Sequence, residues 1–207
     1  MLQIIAMITM LIDHIGLLYN ITVFRIIGRL SMPIYGYFLY RSTLKDSDNK
    51  KHLKRLLIFG IVSQFPFMVM IHEKTEYRFN ICITWAVCYA FMLCYNKWLC
   101  ESKNKWLILT MSTLAILLVI PCDYGIIALV WVLIWMYKDN IYVVLALLLP
   151  LLCLSVSQAD YIQLFSVLTI PLVCACEKHN KLYMPKEYKS VWRYFYPLHL
   201  GVLSCLR

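Results

Sequence analysis

Asp13, His14, Arg25, Arg29 and His199 are the side chains of this sequence best suited to chemistry, and each lies within a stretch that is otherwise apolar. A neutral imidazole takes up a proton near pH 7, and a guanidinium holds a carboxylate or another anion. Residues 2–19 and 24–40 are each long and apolar enough to cross a bilayer. An ionised group at the centre of such a helix costs roughly 2.5–3.5 kcal/mol. The charges must therefore be paired, reached by water, or both.

Spacing constrains the pairing. Neighbouring residues on a helix point about 100° apart, so Asp13 and His14 cannot form one dyad. Arg25 and Arg29, four residues apart, share a helix face. The short link over residues 20–23 makes the first two helices antiparallel neighbours and brings Asp13 within reach of an arginine. We expect Asp13 to pair with Arg25 or Arg29, which leaves His14 as the preferred base and His199 as the second. The competing reading of either histidine is a buried group hydrogen-bonded to a neighbouring helix. Gly16, Gly28 and Gly36 permit close helix approach.

The elements that must position these residues follow from composition. The chain has 207 residues, 62% hydrophobic and 15% charged, which is the make-up of a polytopic membrane protein. Apolar runs predict spans near 2–19, 24–40, 53–72, 80–96, 106–120, 124–137, 141–157, 160–176 and 192–206. The expected fold is an all-α bundle of about eight to nine transmembrane helices in a single domain over 1–207. The net charge of +9 would point to nucleic acid in a soluble protein, but most Lys and Arg fall in short loops. Arg41, Lys45, Lys50, Lys51, Lys54 and Arg55, then Lys97, Lys103 and Lys105, then Lys138, then Lys178 to Arg193 all lie on one side. Lys74 and Arg78, offset by Glu73 and Glu76, and then Asp123 and Asp160, occupy the other. The positive-inside rule places the amino terminus in the cytoplasm and the chain in the plasma (inner) membrane. The amino terminus lacks a signal peptide's basic region and cleavage site, so we expect the first helix to be retained.

Other signals are weaker. The nine cysteines show no metal or disulfide spacing; Cys82, Cys88, Cys94 and Cys100 walk around a helix and read as packing residues. No glycine-rich phosphate loop, HExxH or GxSxG is present, which argues against an ATPase, a zinc protease and a serine hydrolase. Pro66, in Ser63-Gln64-Phe65-Pro66-Phe67, predicts a kink or a broken helix. Pro150 and Pro171 predict bends, and Pro197 predicts unwound backbone beside His199. Asn80 and Asp123-Tyr124-Gly125 open the fourth and sixth spans, where the simple readings are a helix cap and a turn. Spans five to eight hold no interior Asp, Glu, Lys, Arg or His and read as scaffold.

The motifs Ile12-Asp13-His14-Ile15-Gly16, Arg25-Ile26-Ile27-Gly28-Arg29 and Tyr196-Pro197-Leu198-His199-Leu200, with residues 54–67, Asn80 and Tyr124-Gly125 between them, resemble the TraX family. That family is named for a conjugation protein that acetylates the amino terminus of pilin, and it is similar to the wider class of transmembrane acyltransferases. The resemblance implies transfer of an acetyl group from cytoplasmic acetyl-CoA, with no metal, to an extracytoplasmic peptide or glycan. Such chemistry needs a base at the nucleophile, a donor for the oxyanion and cations for phosphate. The base falls to His14, with Asp13 and His199; the oxyanion contacts to Asn80 and Tyr124; Arg25 and Arg29 bind the donor by polarising the thioester carbonyl or anchor Asp13; and Arg41, Lys51 and Arg55 suit the nucleotide phosphates. The chain departs from the family pattern at Tyr40-Arg41-Ser42-Thr43, where a glycine-rich acidic segment is expected, and at Gln64, where glutamate is expected. Two rivals stand beside the enzyme: a transporter or ion pathway using the Asp, His and Arg cluster, and a non-catalytic membrane partner.

Overall fold

An apolar chain has few side chains with which to satisfy its backbone N–H and C=O groups, and the helix satisfies them locally. The structure, a computed structural model, describes residues 1–45, 48–71, 78–99, 105–157 and 161–206. Glu73, Lys74, Glu76, Cys100, Lys103 and Asp160 lie outside them. The described chain is all-helical, apart from one isolated bridge between Phe79 and Cys122. In chain order the α-helices are α1 (Leu2–Leu18), α2 (Thr22–Gly28), α3 (Ser31–Thr43), α4 (Asn49–Ile71), α5 (Ile81–Cys94), α6 (Lys105–Val119), α7 (Gly125–Met136), α8 (Ile141–Ser157), α9 (Thr169–Lys178) and α10 (Lys189–Cys205). A 3-10 helix over Tyr161–Leu168 leads into α9.

The chain divides into two compact units, one of Met1–Tyr35 with Val144–Arg207 and one of Gly36–Val143. In the first unit α1 starts against the link that precedes α10. Leu2 N and Gln3 N donate to the carbonyls of Lys181 and Leu182, and Met184 N donates to Gln3 Oε1. These bonds satisfy amide groups that a helix start leaves without intrahelical partners. They also tie the start of α1 to the segment that leads into α10. At its other end α1 stops at Asn20, whose φ of +56° is a left-handed stop that asparagine tolerates, and Ile21 N closes back on Gly16 O at 2.9 Å. The chain then turns into α2, which packs along α1.

The second predicted span, 24–40, is not one helix. It breaks at Arg29 and Leu30, between α2 and α3. Pro33 suits the position, because it has no N–H to donate and is best tolerated in the first turn of a helix, where α3 places it. Ser31 Oγ donates to Gly28 O at 2.8 Å and stitches the break. By contrast α4, α8 and α10 run unbroken through Pro66, Pro150 and Pro197. The expected unwinding beside His199 is therefore absent, and the interruption lies in the second span instead. Pro171 is the third residue of α9, another first-turn position.

In the second unit Trp131 and Trp135 of α7 form the buried centre, with Tyr37 edge-on to Trp135 at 5.2 Å between ring centroids. Gly36 leaves room for Trp85: a Cβ there would lie 3.2 Å from the indole. The outward face of α4 is apolar, with Ile61 and Phe65 72% and 78% exposed. Helix α8 likewise exposes Ile141, Leu145, Leu149, Leu152 and Val156, three or four residues apart. Asn49–Met70 and Tyr161–Lys178 are long and apolar enough to cross a membrane.

Candidate functional site

Helix α1 starts on the segment that leads into α10, and the two helices pack together. At 1.5 Å per residue, His14 stands about 18 Å beyond Leu2 and His199 about 15 Å beyond Lys189. The two imidazoles meet: His14 Nδ1 is 2.8 Å from His199 Nε2, with ring centroids 4.9 Å apart. His199 is buried and His14 partly buried.

The protons on this pair are ordered by its surroundings. His199 Nδ1 lies 2.7 Å from the carbonyl of Phe195, and a carbonyl only accepts, so Nδ1 carries the hydrogen. In neutral His199, Nε2 is then a bare acceptor and must receive its hydrogen bond from His14 Nδ1–H. Neutral His14 consequently keeps its lone pair on Nε2, the nitrogen turned away from the pair. Phe195 stacks on His199 at 4.6 Å and Tyr196 meets it edge-on at 5.6 Å, which holds the ring in place. The chain of bonds from Phe195 O through His199 to His14 orients an imidazole lone pair that is able to accept a proton.

Immediately before His14 on α1, Asp13 Oδ2 accepts from Arg25 Nη1 at 2.7 Å. Of the two arginines open to Asp13 on sequence, this pair uses Arg25. Asp13 and Arg29 are each 5% exposed. The approach that allows this is made by glycine. A Cβ on Gly28 would lie 2.6 Å from Asp13 Cα, and one on Gly16 would lie 2.7 Å from Phe24 Cβ. No larger residue permits α1 and α2 this contact without displacement.

The family model described as TraX protein matches residues 1–207. The chain belongs to the TraX family. It is 28% identical over 140 residues to the probable fimbrial assembly protein FimC, serogroup H1, of Dichelobacter nodosus, covering 60% of this chain and 56% of that one. It is 34% identical over 91 residues to an uncharacterized protein of Rickettsia prowazekii (strain Madrid E), covering 43% of this chain and 35% of that one. It thus spans only about half or less of the length of these curated relatives. No solved structure matches it.

In this TraX chain the three sequence motifs meet inside the first unit. Asp13, His14 and Gly16 lie on α1, Arg25 and Gly28 on α2 with Arg29 as its cap, and Tyr196 and His199 on α10. The remaining candidates belong to the second unit. Arg41 ends α3. Lys51 pairs with Asp48 at 2.6 Å on an exposed surface, and Arg55 Nη2 donates to His52 Nδ1 at 2.7 Å. Asn80 caps α5: its Oδ1 accepts from Cys82 N at 3.0 Å, while its Nδ2 donates to Gly60 O at 2.6 Å and Gln64 Oε1 at 2.8 Å. That is the helix-cap reading of Asn80. Gln64 Nε2 also donates to Arg78 O at 2.9 Å, a bond that glutamate could not make. Tyr124 precedes α7 with φ of +59°, and the adjoining strands of backbone are tied by Asp123 N to Phe79 O at 2.7 Å.

Two features escaped the sequence reading. The Phe195 carbonyl carries no sequence signal, because every residue has one. Gln163, Ser166 and Thr169, all buried, lie in a span read as scaffold. Their spacing of three was the available signal.

Proposed function

We propose that this chain is a membrane-bound acetyltransferase that moves an acetyl group from cytoplasmic acetyl-CoA to an amine or hydroxyl on the far side of the membrane. The observation that carries the reading is the His14–His199 bond, with its proton order set by Phe195. His14 Nε2 takes the proton from the acceptor as the acceptor atom attacks the thioester carbonyl carbon. The tetrahedral intermediate then collapses, the carbon–sulfur bond breaks, and the thiolate of coenzyme A leaves with a proton returned by the imidazolium. Asp13 holds Arg25 at the site, and Arg29 in the same turn supplies positive charge for the carbonyl oxygen.

Supporting this are membership in the TraX family and the name of the Dichelobacter relative, a fimbrial assembly protein, which favours a pilin-like amino terminus as acceptor. The apolar outward faces of α4 and α8 suit lipid, and the loop charges suit a multi-pass inner-membrane protein with a cytoplasmic amino terminus. The test is thioester turnover by purified protein in lipid nanodiscs, with mass spectrometry of host envelope proteins for a one-acetyl increment. Turnover that vanishes in a folded His14→Ala variant is the expected result. Proton-coupled flux in liposomes without thioester turnover would replace the enzyme with a transporter.

A further inference from the structure

The Tyr161–Leu168 segment winds as a 3-10 helix of eight residues before the chain relaxes into the wider turns of α9. Such runs seldom exceed three or four residues, because their hydrogen bonds are poorer and side chains three apart eclipse. Here the eclipse has a chemical result. Gln163, Ser166 and Thr169 form one row and are 1%, 0% and 0% exposed, whereas Tyr161, Phe165 and Leu168 on the other sides are 59%, 44% and 58% exposed. In α-helical winding the same three residues would fan over about 120°.

A polar row buried in an apolar helix needs partners. Thr169 Oγ1 donates to Leu30 O at 3.5 Å and Ser166 Oγ to Gln163 O at 2.6 Å. The Gln163 side-chain nitrogen is different: buried, it meets no acceptor among the described residues. Through Thr169 the row faces the break between α2 and α3, since Leu30 lies in that break and α2 packs on the 3-10 helix. Arg29 and Ser31, both buried, flank Leu30. Interrupted helices persist within membranes where their backbone is buried in protein or lines a ligand site.

We propose that Gln163 binds the acyl donor, its amide nitrogen donating to a carbonyl oxygen of the amide-bearing pantetheine arm where that arm passes the α2–α3 break. This rests on the acetyl-CoA reading above and adds the subsite between phosphates and thioester. The row of Gln163, Ser166 and Thr169 carries no charge of its own, and its uncharged amide donor suits an uncharged acceptor such as an amide carbonyl; an attacking amine offers its lone pair to carbon.

The experiment is calorimetric titration of acetyl-CoA, and separately of pantetheine, into the full chain in nanodiscs, with Gln163→Leu and Gln163→Met compared to wild type. Both variants are expected to weaken both ligands about 5- to 10-fold. Their melting temperature should hold or rise, because a buried donor without an acceptor has been removed. Unchanged affinity in the two variants beside a binding wild type overturns this inference alone, as does a fall in melting temperature with affinity intact. A loss confined to the KM of the acceptor overturns it too, and a wild-type chain that binds no acetyl-CoA overturns the donor reading together with it.

Discussion

His14 and His199, 185 residues apart in sequence, share a 2.8 Å hydrogen bond in which His199 accepts and His14 donates. The direction follows from the Phe195 carbonyl beyond, which fixes the hydrogen of His199 on Nδ1. The two histidines are thus unequal, with one presenting a lone pair and the other orienting it.

That inequality separates their variants. His14→Ala should lower kcat by about 10²- to 10⁴-fold, the usual worth of a positioned base. His199→Gln, whose side-chain oxygen still accepts from His14, should retain more rate than His199→Ala at the same affinity for acetyl-CoA. Steady-state kinetics with binding measured separately checks this; equal losses in both His199 variants would contradict that orienting role. Acidification should lower the rate, since a protonated His14 has no lone pair to offer.

The Asp13–Arg25 pair is largely out of water, with the Asp13 and Arg25 side chains 7% and 20% exposed. Removing Asp13 leaves the Arg25 guanidinium largely out of water without its carboxylate, so Asp13→Ala should destabilise the fold by about 3–5 kcal/mol. The double replacement Asp13→Leu with Arg25→Met should recover most of that. Chemical unfolding in detergent, arranged as a double-mutant cycle, measures the coupling.

Two glycines give opposite forecasts. Gly28→Ala drives a methyl group into Asp13 and should destabilise by about 1–3 kcal/mol, with loss of turnover as α1 and α2 part. Gly201, in α10, has nothing within 4 Å of an added Cβ. Gly201→Ala should stabilise by roughly 0.5–1 kcal/mol with turnover unchanged. Thermal unfolding with matched activity assays distinguishes them.

Asn80 uses its amide to cap α5 and to tie Gly60 and Gln64. Asn80→Ala should therefore cost about 2 kcal/mol. If capping is its whole role, kcat per folded molecule stays unaltered; a drop in kcat at constant folded fraction would support the oxyanion role instead.

Helical class and element order were legible because a chain this apolar has one local way to satisfy its backbone, and charged loops punctuate the runs. The ion pair was legible as well: a short link and a four-residue spacing leave Asp13 few partners. The break at Arg29 was harder to see. Pro33 was in plain view, but so were Pro66, Pro150 and Pro197, through which helices continue, and proline alone does not say whether its neighbours compensate for the lost N–H.

Sequence by itself determined which residues carry charge and proton affinity in an apolar setting, since composition and short-range spacing are local properties. Tertiary structure alone decided that His14 and His199 touch, which of them gives the hydrogen, and that Gln163 turns inward. Those outcomes depend on a carbonyl at residue 195, on the depth at which two helices meet, and on a local winding of three residues per turn. Each is a relation among distant parts of the chain or a choice of backbone geometry, which composition and short-range spacing do not by themselves reveal.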